Sequence, residues 1–173
     1  MIKDLLNQIK GIPSKLVNIV TGLRAQGYLS ISLVYPDKTV PLFEGKKNLV
    51  VHGGKLQMLR TLYQGGVGSP IATLRVGNGG TIDPNGRFPK TPTDALSALY
   101  SEVQTIPVTY TVDEAYPSVT YIADVGPDLC NDLLISEAGL FFQDGSMFNI
   151  KTFPGIPKTL DFSIHFEWVI KVN

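Results

Sequence analysis

Charge is scarce in this sequence: Lys, Arg, Asp and Glu supply 17% of its 173 residues, against roughly 25% in an average soluble domain. Much of the polar surface must therefore come from Ser, Thr, Asn, Gln and backbone, which suits either a compact monomer or a chain covered by neighbours. Lys plus Arg number 15 and Asp plus Glu number 15, so no net field draws the chain to phosphate or an anionic membrane, and direct nucleic-acid binding is disfavoured. Cysteine is nearly missing. A lone Cys130 excludes an internal disulfide, a thiol zinc cluster and a redox pair, reads as a small buried apolar residue, and fits synthesis in a reducing cytoplasm. Long hydrophobic runs are missing too: Asp4, Asn7 and Gln8 interrupt the apolar residues near Lys3 and Lys10 before a signal-peptide core forms, and no stretch reaches membrane-spanning length.

What remains is a chain of a size that suits one domain with an attached arm, here 1–27 and 28–173. In the arm Ile2, Leu5, Leu6, Ile9, Ile12, Leu16, Ile19, Val20 and Leu23 recur at spacings of three and four, the period of an amphipathic helix. Gly11 and Pro13 split it, and Ser14 is placed to cap a second helix ending near Gly22 or Gly27. Such a stripe packs on its own domain, on another subunit, or on a membrane surface, the last disfavoured because the polar face is poor in Lys and Arg. Ile2, Leu5, Leu6, Ile9, Leu16, Ile19 and Leu23 are the candidate partner-docking residues.

From Tyr28 the period becomes two. Leu29, Ile31 and Leu33 alternate with Ser30, Ser32 and Val34, Pro36-Asp37 reads as a turn, and Val40 to Phe43 with Leu49 to Val51 complete a small hairpin region between arm and body. A short helix is expected near 54–64, with Leu56, Leu59, Tyr63, Met58 and Leu62 on its apolar side, and a second near 92–102, where Thr91-Pro92-Thr93-Asp94 forms a good start. Between them lie the strand around Leu74 and a Gly/Pro-rich loop from Gly77 to Lys90. Beyond lie strands at Val108 to Val112 and Val119 to Ala123, a continuous apolar run Leu133 to Phe142, a hairpin turn Gln143 to Ser146, and a strand from Met147 to Phe153. In the closing strand Leu160, Phe162, Ile164, Phe166, Trp168, Ile170 and Val172 face one way, and Asp161, Ser163, His165, Glu167 and Lys171 the other. The expected fold is mainly β with flanking helices (α+β), an antiparallel β-sandwich with an N-terminal amphipathic helical arm.

Catalytic, cofactor and metal residues are all assigned as none. Gly77-Asn78-Gly79-Gly80 follows a strand, but Ile82 stands where the dinucleotide fingerprint needs its third glycine, and no Lys-Ser or Lys-Thr pair follows. His52 and His165 have no carboxylate or thiol at ligand spacing, and no Gly-x-Ser-x-Gly elbow occurs. Asp124, Asp128 and Asp132 sit around Gly126-Pro127 without the alternating pattern of a calcium loop, and read as a solvated acidic turn. Glu137 lies inside an apolar run, where its carboxylate is expected to accept backbone N–H groups or meet Arg75 or Lys158.

The ordered pieces Lys47 to Val51 with Gly53-Gly54, Ile71 to Gly80, Thr93 to Leu96 leading to Glu102-Val103, Ser136 to Phe141, Asp144 to Phe148, and the strand after Pro157-Lys158 resemble a family of tailed-bacteriophage tail and baseplate structural proteins, including proximal tail-fibre modules. The resemblance spans about 46–173 and implies a non-enzymatic virion subunit, made in the host cytoplasm, that joins tail, baseplate or fibre components. A fibre subunit of that kind would continue into a shaft, so a free-standing adaptor, baseplate subunit or neck/collar protein is expected. The expected partners are other tail proteins and further copies in a homo-oligomer or ring, with no cofactor, no direct nucleic acid and no stable membrane insertion. A receptor- or glycan-binding module is the competing reading, and Tyr116, Tyr121 and Phe88 are its candidates.

Overall fold

The computed structural model describes residues 25–63 and 68–172. The candidate docking residues Ile2, Leu5, Leu6, Ile9, Leu16, Ile19 and Leu23 lie outside them.

The described chain is mainly β. The strands are β1 (Ala25–Val34), β2 (Thr39–Lys47), β3 (Leu49–Val50), β4 (Ile71–Gly77), β5 (Glu102–Pro107), β6 (Thr109–Asp113), β7 (Ser118–Val125), β8 (Leu134–Phe142), β9 (Asn149–Pro157) and β10 (Ser163–Val172). Helix α1 spans His52–Tyr63. All strand pairs are antiparallel, and they form one sheet of order β2-β1-β10-β7-β6 and another of order β3-β9-β8-β4-β5.

The alternation in β10 has a direct physical outcome. Ile164, Phe166, Trp168 and Ile170 are buried, and they meet Leu29 and Ile31 of β1 and Ala123 and Val125 of β7 on the same face. That face packs against Leu74, Val76, Ile135, Leu140, Phe148 and Phe153 of the second sheet region in one cluster. Burial of each such side chain contributes on the order of 1.5–3 kcal/mol. The expected strand start at Leu160 is corrected: Leu160 is 66% exposed in a turn, because Thr159 and Asp161 bond to each other across it, and β10 begins at Ser163.

β8 reads as a continuous apolar run because both its faces are covered. Ile135, Ala138, Leu140 and Phe142 belong to the main core, while Phe141 joins Val51, Leu99, Met147 and Ile150 in a second, smaller cluster. The turn after β8 forms as expected, with Gly145 at φ +84° and Gly145 N–H donating to Phe142 C=O at 2.9 Å.

Four further expectations are corrected. No helix forms near 92–102; that stretch is an irregular segment lying over the second cluster, for reasons given below. The hairpin β1–β2 is not a separate unit between arm and body, because β1 runs the length of β10 from Ala25↔Val172 to Val34↔Ser163. That pairing also places Ala25 to Gly27, assigned to the arm, inside the main sheet. Cys130 is half-buried rather than buried, in a loop with φ +59°.

Candidate functional site

The most concentrated polar arrangement centres on Glu137. Its side chain on β8 is 0% exposed and, among the described residues, forms no ion pair. Its Oε1 accepts the N–H groups of Ser101 at 2.7 Å and Gly79 at 3.2 Å, and Oε2 accepts that of Tyr100 at 2.9 Å. Beside it Ser136 Oγ accepts the Gly80 N–H at 2.9 Å, and Asn78 N–H donates to Ser101 C=O at 3.0 Å. A carbon added at Gly80 would collide with the Ser136 carbonyl, so the loop approaches β8 this closely only with glycine there. The Gly-rich loop and the 91–101 segment are thereby tied to one strand by one carboxylate.

This explains the missing helix. Thr91 to Asp94 carries good helix-start residues, but the N–H groups of Tyr100 and Ser101 are spent on Glu137, the Asp94 carbonyl accepts His52 N–H at 2.8 Å, and Leu99 is drawn into the second cluster. Tertiary bonds outcompete the i→i−4 ladder of a short helix. Of the contacts expected for Glu137 the backbone ones form. Arg75 instead pairs with Glu102 at 3.1 Å, and Lys158 lies elsewhere.

Lys158 is the second buried charge, at 1% exposure. Its Nζ donates to Pro127 C=O at 3.1 Å, Asn131 Oδ1 at 3.2 Å and Thr159 C=O, and sits 5.3 Å from the Phe162 ring centre. Burial pushes its pKa down, opposed by Cys130, Asp128 and Asp161. The loop 126–132 is thus built around a lysine. Asp124 is directed away from it, to His165 Nδ1 at 2.7 Å on the polar face of the first sheet. His52 is exposed at the start of α1.

The loop 77–90 is anchored as well. Asp83 Oδ1 accepts Phe88 N–H at 2.8 Å and Arg87 N–H at 3.0 Å, and the Phe88 bond above all holds the Asp83 carboxyl below its ordinary value. Lys90 Nζ donates to Gly79 C=O at 2.7 Å, and Gly155 N–H donates to Gly86 C=O at 2.7 Å. In the turn after β8, Asp144 accepts from the Ser146 hydroxyl at 2.6 Å and N–H at 2.9 Å, which lowers its carboxyl in the same way.

The aromatic candidates are dispersed. Phe88 is 64% exposed on the loop bonded to the second sheet, whereas Tyr116 is 78% exposed in the β6–β7 turn of the first. Half-buried Tyr121 lies against Tyr110, ring centres 6.1 Å apart. Sequence reasoning missed what stands beside it: all five residues of β6 are exposed, with Tyr110 and Val112 on the core-side face of the sheet yet open to solvent. Tyr110 opposes Tyr121, which opposes Trp168, and Val112 opposes Val119, which opposes Ile170, so both belong to the apolar face where the other sheet does not cover it. A shallow groove of about 420 Å³ follows, lined by Val112, Pro117, Val119, Ile170 and Val172.

Among the described residues no helix is long and apolar enough to cross a membrane. Comparison with protein-family models, curated proteins and solved structures finds no match to this chain.

Proposed function

We propose that this chain is a non-enzymatic structural subunit of a tailed-bacteriophage virion, a β-sandwich that joins tail, baseplate or fibre components through protein–protein contacts. The observation that carries the reading is the convergence on Glu137. Two of the ordered pieces behind the resemblance, Val76 to Gly79 and Ser136 to Phe141, meet at that one carboxylate although they are distant in sequence, and Tyr100 and Ser101, which lie between Leu96 and Glu102, join them there. A shared set of motifs is expected to mark one structural unit when it encodes a fold rather than a reaction.

The chemistry of that carboxylate supports the same reading. With both oxygens engaged by backbone N–H groups and no exposure, Glu137 holds loops in place instead of exchanging protons with a substrate. The exposed Tyr110 and Val112 of β6 offer apolar contact to protein. The segment before β1, residues 1–24, is the second contact region of the proposal, through its apolar stripe.

Electron microscopy of virions carrying a label on this subunit tests the assignment. Label at regular positions on the tail, baseplate, fibre joint or neck is expected. Virions that form and infect without it, or a purified protein that degrades peptidoglycan, overturn the proposal. Binding of host glycans by the isolated protein would move it to a receptor-binding module.

A further inference from the structure

We propose that the outer edge of β6 is a docking strand for a second copy of this chain, the two β6 strands pairing antiparallel about a two-fold axis through Thr111. The inference rests on the geometry of this edge and holds whether or not the chain belongs to a virion.

The four sheet edges differ. β2 carries Pro41, Lys46 and Lys47, has Gly45 at φ +56°, and shifts register against β1, features that make an edge unfit for pairing. β3 is two residues long. β5 ends at Pro107 and carries Glu102, which pairs with Arg75 and accepts the Thr105 hydroxyl. β6, Thr-Tyr-Thr-Val-Asp, has no proline, lysine or bulge, and its register with β7 is unbroken from Thr109↔Ile122 to Asp113↔Ser118. Among the described residues it pairs with β7 alone, leaving the backbone groups of its other side open to a further strand.

The sequence of β6 selects the occupant. A two-fold axis through Thr111 sets Tyr110 opposite the partner's Val112, Thr111 opposite the partner's Thr111, and Thr109 opposite the partner's Asp113. Aromatic against β-branched and threonine against threonine are favourable cross-strand pairs. The two Asp113 carboxylates stand four residues apart along the ladder, about 14 Å, so no like charges oppose each other. Asp113 Oδ1 is already engaged by Ala115 and Tyr116 N–H groups, which leaves Oδ2 for the partner's Thr109. On the core-side face the exposed Tyr110 and Val112, at 63% and 57%, would continue across the axis with the adjoining groove as one apolar strip. A contact in which one patch meets itself is the commonest arrangement of homo-oligomers.

The register gives a position-specific test with the full chain in a Cys130→Ser background. Sedimentation velocity is expected to show a dimer at tens of micromolar, and Thr111→Lys, which sets two ammonium groups opposite one another on an exposed face, to raise the dimer Kd at least about tenfold. Under mild oxidation Thr111→Cys is expected to cross-link into dimers, and Thr109→Cys, Asp113→Cys and Val40→Cys each alone to give at least about tenfold less cross-link. Emission from Trp168 checks that every variant is folded. A folded chain that stays monomeric at about 100 μM, a dimer that Thr111→Lys leaves unchanged, or cross-linking at Val40→Cys in place of Thr111→Cys overturns the proposal.

Discussion

Truncating Glu137 to alanine removes the acceptor of three backbone N–H groups at once, those of Gly79, Tyr100 and Ser101, at a site with no solvent exposure. Each buried donor left without a partner costs about 1–3 kcal/mol, so the loss sums to roughly 3–9 kcal/mol, comparable with the whole stability of an ordinary domain at about 5–15 kcal/mol. Glu137→Gln is the graded version. One amide oxygen can still serve Gly79 and Ser101, but the NH₂ group then faces the Tyr100 N–H, and a cost of about 2–4 kcal/mol is expected from that lost bond and from losing the charge on the others. Urea unfolding followed by Trp168 fluorescence gives both numbers, since Trp168 is the only tryptophan and is fully buried. Amide exchange localises the effect: in Glu137→Gln the Tyr100 amide should lose protection first while those of β1 and β10 keep it. If Glu137→Ala unfolds within about 1 kcal/mol of the native chain, the carboxylate does not organise these loops and the reasoning fails.

Three other perturbations follow from the same contacts. Phe166→Ala empties a fully buried position between the sheets and is expected to cost about 3–5 kcal/mol in chemical unfolding. Lys158→Met strips the donors from Pro127, Asn131 and Thr159 but also relieves a desolvated charge, so a net loss of about 1–3 kcal/mol is expected, with loosening of loop 126–132 visible in amide exchange. The Asp83 carboxyl is lowered in the folded chain, chiefly by the Phe88 N–H. Its contribution is therefore present above about pH 3.8 and is lost as pH falls through the folded value, so Asp83→Asn should flatten the acid limb of a plot of Tm against pH.

How much of this was legible in the sequence depended on whether a residue's surroundings were local. β10 could be read because one face meets a core and the other water, which writes burial into alternate positions from Ile164 to Ile170. The helix near 54 and the turn at Asp144-Gly145 carry their own signals in the same way. Residues 91–101 could not be read, because their conformation is decided by Glu137, a residue more than thirty positions away. Glu137 itself was marked by being a charge in an apolar run, which showed that a partner was needed but not which N–H groups would supply it. Lys158 was marked only as a possible partner of Glu137; its own burial gave no signal, since a lysine after a proline at the end of a strand is ordinary until the loop closes over it. The alternation in Thr109 to Asp113 announces a strand, but nothing in it says that the strand lies at an edge with Tyr110 and Val112 uncovered; that follows only from the order of the sheet.

The central claim, that this chain is a building part of a virion, is tested most directly by quantitative mass spectrometry of virions purified through a density gradient and a high-salt wash. The account predicts that the chain stays with the particles at a fixed, multiple copy number per virion, in constant ratio to the major tail protein across preparations. A chain abundant in the lysate but absent from washed particles, or present in a ratio that varies from one preparation to the next, contradicts it.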